Sequence, residues 1–482
     1  MKNISIKVNF LFNTILSISS LIFPLITYPY ASRVLGADGI GKVTFATSFI
    51  AYFLMVAQLG IPTYGVRACS RVRDDKEKLS ETFSEILVLN LITSLCSYFF
   101  LFIIIFNISR FSNDKYLYIV GSITIFLNTI GVEWLYKALE EYKYISIRSI
   151  VFKIISVIAL FFLVRKDTDY IQYMCVTLIA SSGSYLCNFI YLSHIVEFVK
   201  PKFKKVFSHL KDVIIFFSMN CATTVYTNLD SVMLGIMTDD SQVGYYSTAI
   251  KVKTLLATVV SSLGVVILPR VSFYAATKQD DKFKKIISDS LEFVILLSVP
   301  FIIFFVFFAR NCILFLGGIS FTESILPMQI SLISLLFIGL TNILGMEILV
   351  PLGKEKIVLL SVSVAAFINV LSNIFFISQY GAMGATISMV LAEAFVFIIQ
   401  VFSLRHVLKN VLKIKIIGKV IFSSLLAIIL PVVINFHLSN YLLSLISSSI
   451  VFFISYSLML IFFKEPLILN QLHRMIGKFN ER

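Results

Sequence analysis

Residues 441–463, from Tyr441 to Phe463, read YLLSLISSSIVFFISYSLMLIFF, twenty-three positions without a charge. Wound as an α-helix at 1.5 Å per residue, the run measures ~34 Å, and the hydrocarbon core of a bilayer is ~30 Å thick. Asn440 precedes it and Lys464-Glu465 follows it. Back along the chain as far as Phe10 the pattern returns, and each break between apolar runs carries polar or charged residues. Hydrophobic residues make up 58% of the 482 positions, and charged ones only 14%. A soluble domain could not hold that much Phe, Ile and Leu without exposing large apolar patches. The chain reads as an all-α polytopic membrane protein.

Fourteen spans are expected, near 10–31, 41–60, 82–106, 116–136, 147–164, 170–193, 212–236, 243–268, 286–308, 324–349, 357–378, 383–404, 418–436 and 441–463. An even number puts both termini on one side. Of the 41 Lys and Arg, 31 fall on that side, 7 on the other and 3 inside spans. The positive-inside bias then makes both termini cytoplasmic. The net charge of +14 is spread over every cytoplasmic loop, so it reads as topology and attraction to anionic lipid, not as a nucleic-acid surface. The first span is too long for a cleaved signal and is expected to remain as a helix. Six cysteines (Cys69, Cys96, Cys175, Cys187, Cys221 and Cys312) show no CxxC and no metal spacing, and are expected to act as small buried hydrophobes. The longest loop, His194 to Lys211, is too short to fold alone, so any chemistry must sit between helices.

The chain also repeats itself. Arg33-Val34-Leu35-Gly36 with Ile40-Gly41-Lys42 and Ala46 matches Ser231-Val232-Met233-Leu234-Gly235 with Val243-Gly244-Tyr245 and Ala249. Further on, Leu59-Gly60 matches Leu263-Gly264, Glu133 matches Glu347, and His194 matches His406. Six spans per copy is even, so the copies enter the membrane in the same orientation. The expected organisation is an N-terminal lobe over 1–200, a second lobe over 201–411, and two added spans with a cytoplasmic tail over 412–482. Parallel repeats facing each other across a central cavity are the architecture of alternating-access transporters. No filter-like loop or ring of like charges points to a channel.

Gly36-x4-Gly41-Lys42 nearly spells a phosphate-binding loop, but Val43 stands where Ser or Thr should hold magnesium, and a tight extracytoplasmic turn explains the glycines. No nucleophile elbow or His-Glu-x-x-His motif is present, no cofactor is implied, and the chain is not read as an enzyme. Intramembrane charges are better clues, since each costs ~2.5–3.5 kcal/mol at a helix centre. Lys253 lies about 15 Å into span eight, near the midplane, and Glu393 is similarly deep in span twelve. Lys153 is about 9 Å deep with a stem long enough to snorkel. For Lys153, Asp230 and Glu292 an interfacial or paired charge is the competing reading. Lys251 points about 200° away from Lys253, so the two cannot line one narrow cavity unless the helix unwinds. Pro24 and Pro29 should bend or break span one.

The stretch Tyr28-Pro29-Tyr30-Ala31-Ser32-Arg33-Val34-Leu35-Gly36-Ala37-Asp38-Gly39-Ile40-Gly41 resembles the signature segment of polysaccharide repeat-unit flippases. These are the O-antigen and capsule (Wzx-like) transporters of the multidrug/oligosaccharidyl-lipid/polysaccharide exporter superfamily. Leu59-Gly60-Ile61-Pro62 with Tyr64-Gly65-Val66-Arg67, and Asn228-Leu229-Asp230 through Val243-Gly244-Tyr245-Tyr246, are similar to further segments of that family. The resemblance implies a transporter of the bacterial inner membrane. It implies that an oligosaccharide on undecaprenyl pyrophosphate is moved to the outer leaflet for lipopolysaccharide O-antigen, capsule or a related polysaccharide. It also implies membrane lipids, a polysaccharide polymerase, glycosyltransferases and a coupling cation (proton or sodium) as partners, and no nucleic acid. With that substrate, Lys253 becomes the main candidate ligand for the pyrophosphate. Lys251, Lys153, Arg33 and Lys42 are secondary, the last two at the extracytoplasmic mouth. Asp230 and Glu393 are the candidate coupling carboxylates.

Relatives of other function share the superfamily. Lipid II flippases are expected to carry several arginines along spans one, two and eight, whereas here span one offers only Arg33 and span eight ends in Arg270 with lysines inside. A multidrug exporter needs buried carboxylates, for which Asp230 and Glu393 serve. A membrane glycosyltransferase or ligase needs sizeable extracytoplasmic loops, and the longest here runs only from Ala309 to Glu323.

Overall fold

The computed structural model describes residues 6–277, 279–409, 414–437, 440–466 and 469. The expected cytoplasmic tail lies almost wholly outside the described residues, as do residues 1–5. Among those described the chain is all helix, with no strand. All fourteen expected ranges fall on helix. By length and composition, however, eight helices among the described residues qualify as membrane crossings, or up to ten when each of two bent pairs counts as one. Two of the eight exceed any single crossing: Leu11–Ser70 with 60 residues and Glu355–Ser403 with 49. The fourth expected run is interrupted at Val132, whose φ of 36° is left-handed. The seventh, in the helix Leu210–Met237, carries Thr223, Thr224, Thr227, Asn228 and Asp230, which lower its hydropathy. Helix length and composition alone therefore do not reach fourteen crossings.

The long helix Ile6–Gln58 runs through Pro24 and Pro29 and is non-helical at Gly36, with φ 66° and ψ −174°. The break expected at the prolines falls at the glycine instead. A backbone at positive φ costs an L-residue with a Cβ ~1–2 kcal/mol, which glycine avoids. Glu355–Ser403 breaks in the same way at Gly381, with φ 52°.

The chain divides into two compact units, Met1–Gly244 and Tyr245–Arg482. In the first, the helix Leu210–Met237 packs against Ile6–Gln58. Helix Lys76–Asn107 starts where the Asp75 side chain accepts from the Lys78 nitrogen at 3.1 Å. Its outer face carries exposed Phe99, Phe100, Ile103 and Phe106. Its inner face carries polar groups that bond across to Ile6–Gln58: Asn90 Nδ2 donates to the Ala57 carbonyl at 2.9 Å, and Ser97 Oγ to the Phe53 carbonyl at 2.7 Å. Ser94 Oγ meets Thr129 Oγ1 at 2.7 Å. Apolar side chains outside with small hydroxyl and amide groups inside suit lipid, where helices associate through close packing and interhelical hydrogen bonds. A buried aromatic cluster at one end of the unit joins Tyr64, Phe83, Trp134 and Tyr136.

The second unit is built on the helices Asp280–Phe307, Ala309–Leu316, Ile325–Asn342, Glu355–Ser403, Ile414–Ala427, Ile429–His437 and Tyr441–Phe462. Asn311 Nδ2 donates to Asn435 Oδ1 at 2.6 Å and to Ser444 Oγ at 3.1 Å, and the Tyr456 hydroxyl donates to the Leu296 carbonyl at 2.9 Å. These bonds tie the C-terminal helices to the rest of the unit. The cysteines are free; Cys69 and Cys312 are buried, but Cys96 is exposed, against the expectation of burial.

Candidate substrate and ion sites

The seven site residues read from the sequence divide between the units. Arg33, Lys42, Lys153 and Asp230 lie in the first, and Lys251, Lys253 and Glu393 in the second. Lys251 and Lys253 are both half-buried on the helix Asp240–Ala276, and each interacts with its surroundings. The bend in this helix, 45°, falls between Ser262 and Ile267, well past both lysines. With no unwinding between them, the ~200° separation holds and the two ammonium groups leave the helix on different sides.

Lys153 does not reach outward. Its Nζ donates to Ser19 Oγ at 2.9 Å and Ser20 Oγ at 2.7 Å on Ile6–Gln58, so its charge is solvated by hydroxyls. Arg33 is exposed, and Nη1 donates to the Pro29 carbonyl at 2.5 Å. Proline at that position lacks a backbone donor, but its carbonyl still accepts. Lys42 is held in a small network. Its Nζ is 3.4 Å from Asp38 Oδ2 and 3.9 Å from Asp114 Oδ2, and 4.9 Å above the Tyr170 ring. Tyr170 in turn donates to Asp114 Oδ1 at 2.8 Å. Two carboxylates already satisfy Lys42, so it is a weaker anion ligand than its charge alone implies. In the neighbouring loop, the Arg165 and Lys166 backbone N–H groups, each 2.9 Å from Asp169 Oδ2, hold that carboxyl below the usual carboxylate range.

Asp230 is buried on Leu210–Met237 near Tyr52. Glu393 is half-buried on Glu355–Ser403. Both have interactions within the protein, and neither is an isolated charge.

Sequence reasoning missed three features. Arg110 grips Asp240 with both terminal nitrogens, while its Nε donates to the Gly235 carbonyl at 3.1 Å. The partners are separated by 130 positions, and neither lies in a recognisable motif. The second is a buried ion pair. Arg148 Nη2 is 3.2 Å from Glu133 Oε2 and Nη1 is 2.8 Å from Ser184 Oγ, with the guanidinium 5.3 Å from the Tyr185 ring. Lys137 Nζ adds a second contact to Glu133 at 2.8 Å. Third, a cavity of about 380 Å³ opens in the first unit among Thr47, Thr124, Asn128, Ser181, Ser182 and Tyr185. A π-helical turn, Ile179–Gly183, supplies its two serines. The lining offers hydroxyl and amide groups but no charge, so it can hydrogen-bond a neutral polar group and cannot neutralise an anion.

Charges satisfied across helices, inside a chain of long apolar helices, mark a polytopic membrane protein. Residues 6–275 match the family model described as polysaccharide biosynthesis protein, and the chain belongs to that family. Two curated relatives, each named "Putative O-antigen transporter", are similar over most of their length. The one from Shigella dysenteriae is 22% identical over 78% of this chain and 94% of its own. The one from Escherichia coli (strain K12) is 20% identical over 84% of this chain and 97% of its own. The fold resembles the lipid II flippase MurJ in its inward closed conformation, with a TM-score of 0.74, 16% identity and coverage of 94% and 99%. It also resembles an inward-facing multidrug resistance MATE family transporter of the MOP superfamily, with a TM-score of 0.64, 13% identity and coverage of 81% and 94%.

Proposed function

We propose that this protein flips a lipid-linked oligosaccharide repeat unit across the bacterial cytoplasmic membrane by alternating access, for O-antigen, capsule or a related surface polysaccharide. The observation that carries the reading is family membership over 6–275 together with O-antigen transporter relatives that align across 78% and 84% of the chain. On this reading the chain crosses the membrane fourteen times with both termini cytoplasmic, and its two repeats are the moving lobes. It rearranges contacts and makes no covalent change. Polymerase and glycosyltransferases act before and after it.

The chemistry of the cargo gives the charged residues their roles. A pyrophosphate must cross a region of low dielectric, and a cation there offsets the cost through charge-assisted hydrogen bonds. Lys253 is the proposed main ligand, with Lys251, Arg33, Lys42 and Lys153 secondary; Asp230 and Glu393 are proposed to bind the coupling proton or sodium. The test is complementation: in a strain lacking its own flippase, this chain should restore surface polysaccharide. Failure there, with restored growth of a strain lacking its lipid II flippase, would move the reading to lipid II. Restored resistance to cationic drugs would move it to drug export.

A further inference from the structure

One carboxylate stands apart from every ion pair described so far. Glu347 is 1% exposed, and neither Oε1 nor Oε2 has a hydrogen-bond partner among the described residues. It lies on a π-helical turn, Ile343–Leu349, that continues the helix Ile325–Asn342. Such turns widen a helix by one residue and recur at functional positions. The carboxylate rests directly on the backbone of Gly264. A methyl there would collide with Glu347 Oε1 and lie 2.6 Å from Asn342 Oδ1. Gly264 therefore keeps a space that any side chain would fill.

The repeat sharpens the contrast. Glu133, the counterpart of Glu347, also sits at an irregularity in its helix, just after left-handed Val132. It is held by Arg148 and Lys137. Around Glu347 the second unit supplies amides and hydroxyls: Asn342 beside it, and Gln400 against Gly345 with its Nε2 3.3 Å from Ser361 Oγ. Ile325–Asn342 carries no ionisable group. Asp280–Phe307 carries Asp280, Asp281, Lys282, Lys284 and Lys285 at its start and Asp289 and Glu292 further on, Glu292 accepting from Ser288 Oγ at 3.2 Å. Asp240–Ala276 carries Asp240, Tyr245, Tyr246, Lys251, Lys253, exposed Arg270 and Tyr274, and Glu355–Ser403 carries Glu355, Lys356, Tyr380 and Glu393. None of these pairs with Glu347 among the described residues.

An ionised carboxylate buried without a partner is costly enough that the group takes up a proton instead. A sodium ion would need several converging oxygen ligands, and against Gly264 only the Glu347 carboxylate and Asn342 Oδ1 come together. We propose that Glu347 is a proton-binding site, occupied in the conformation described here and emptied when the turn Ile343–Leu349 rearranges to admit water or a cation. The proposal rests on the transporter reading and adds a coupling group distinct from Asp230 and Glu393.

Infrared titration of the purified full chain in lipid vesicles tests it without any substrate. Near neutral pH, where solvent-exposed carboxyls are ionised, and with Asp230→Asn and Glu393→Gln as the common background, the chain should show a protonated carboxyl stretch that fades as pH rises. Glu347→Gln should lose this band, Glu347→Asp should keep it at a shifted frequency, and Glu133→Gln should leave it unchanged. Replacing sodium by choline should have no effect. In that background, a band that survives unchanged in Glu347→Gln, no protonated carboxyl near neutral pH, or a band that follows sodium would each overturn the proposal. If the wild type shows the band yet moves no lipid-linked sugar, the transport reading fails and the proton site stands.

Discussion

Gly41 and Gly244, the second glycine in each copy of the repeated motif, lie against each other within the first unit. A methyl on Gly41 would come 3.0 Å from the Gly244 nitrogen and collide with the Asp240 carbonyl; one on Gly244 would collide with the Ala37 carbonyl. Both glycines are there for close backbone approach. Forcing a methyl into so tight a contact costs ~1–3 kcal/mol. Gly41→Ala and Gly244→Ala should each lower the thermal midpoint in detergent. The double variant should lose less than the sum, because one displacement relieves both clashes. Gly418→Ala, with nothing within 4 Å of the added methyl, is the control and should change little.

The sequence made the helices legible because lipid demands apolar runs near twenty residues, and it made Gly36 legible as a turn. It did not show the break at Val132, since a β-branched residue at φ 36° runs against local preference, and this one lies buried in the aromatic cluster. Nor did it show the Arg110–Asp240 clamp or the Arg148–Glu133 pair, because pairing across helices leaves no local pattern. Depth alone singled out Lys253 and passed over Glu347. Burial without a partner is a property of the neighbours, and no position along the chain states it.

Membrane topology is open to direct test. A reporter fused after Lys205 or Lys282 should read as cytoplasmic, and one after Asp240 or Arg310 as extracytoplasmic. The reverse at any two sites would overturn the fourteen-span reading and the orientation of the repeat.

Charge removal should separate the two lysines of the helix Asp240–Ala276. At matched membrane level, Lys253→Ala should abolish surface polysaccharide, at least a tenfold loss, equivalent to ~1.4 kcal/mol or more. Lys253→Arg should keep part of it, since the charge survives in a different geometry. Lys251→Ala should lose less. A greater loss from Lys251→Ala would assign the substrate to the other side of the helix.

For the coupling carboxylates, Asp230→Asn and Glu393→Gln should leave protein level intact and weaken the response of transport to an imposed proton or sodium gradient. Flux in vesicles with and without each gradient is the measurement. Unchanged gradient dependence in both would make them structural partners of their helices.

Carriage of a lipid-linked repeat unit from one leaflet to the other is the activity proposed for this chain. Its most direct test is the exposure of that glycolipid on spheroplasts, read by an impermeant lectin, in cells that make the repeat unit but lack any other flippase. The sugar should be reached from outside only when this chain is expressed, and Lys253→Ala should leave it hidden. Equal exposure with and without the chain would contradict it.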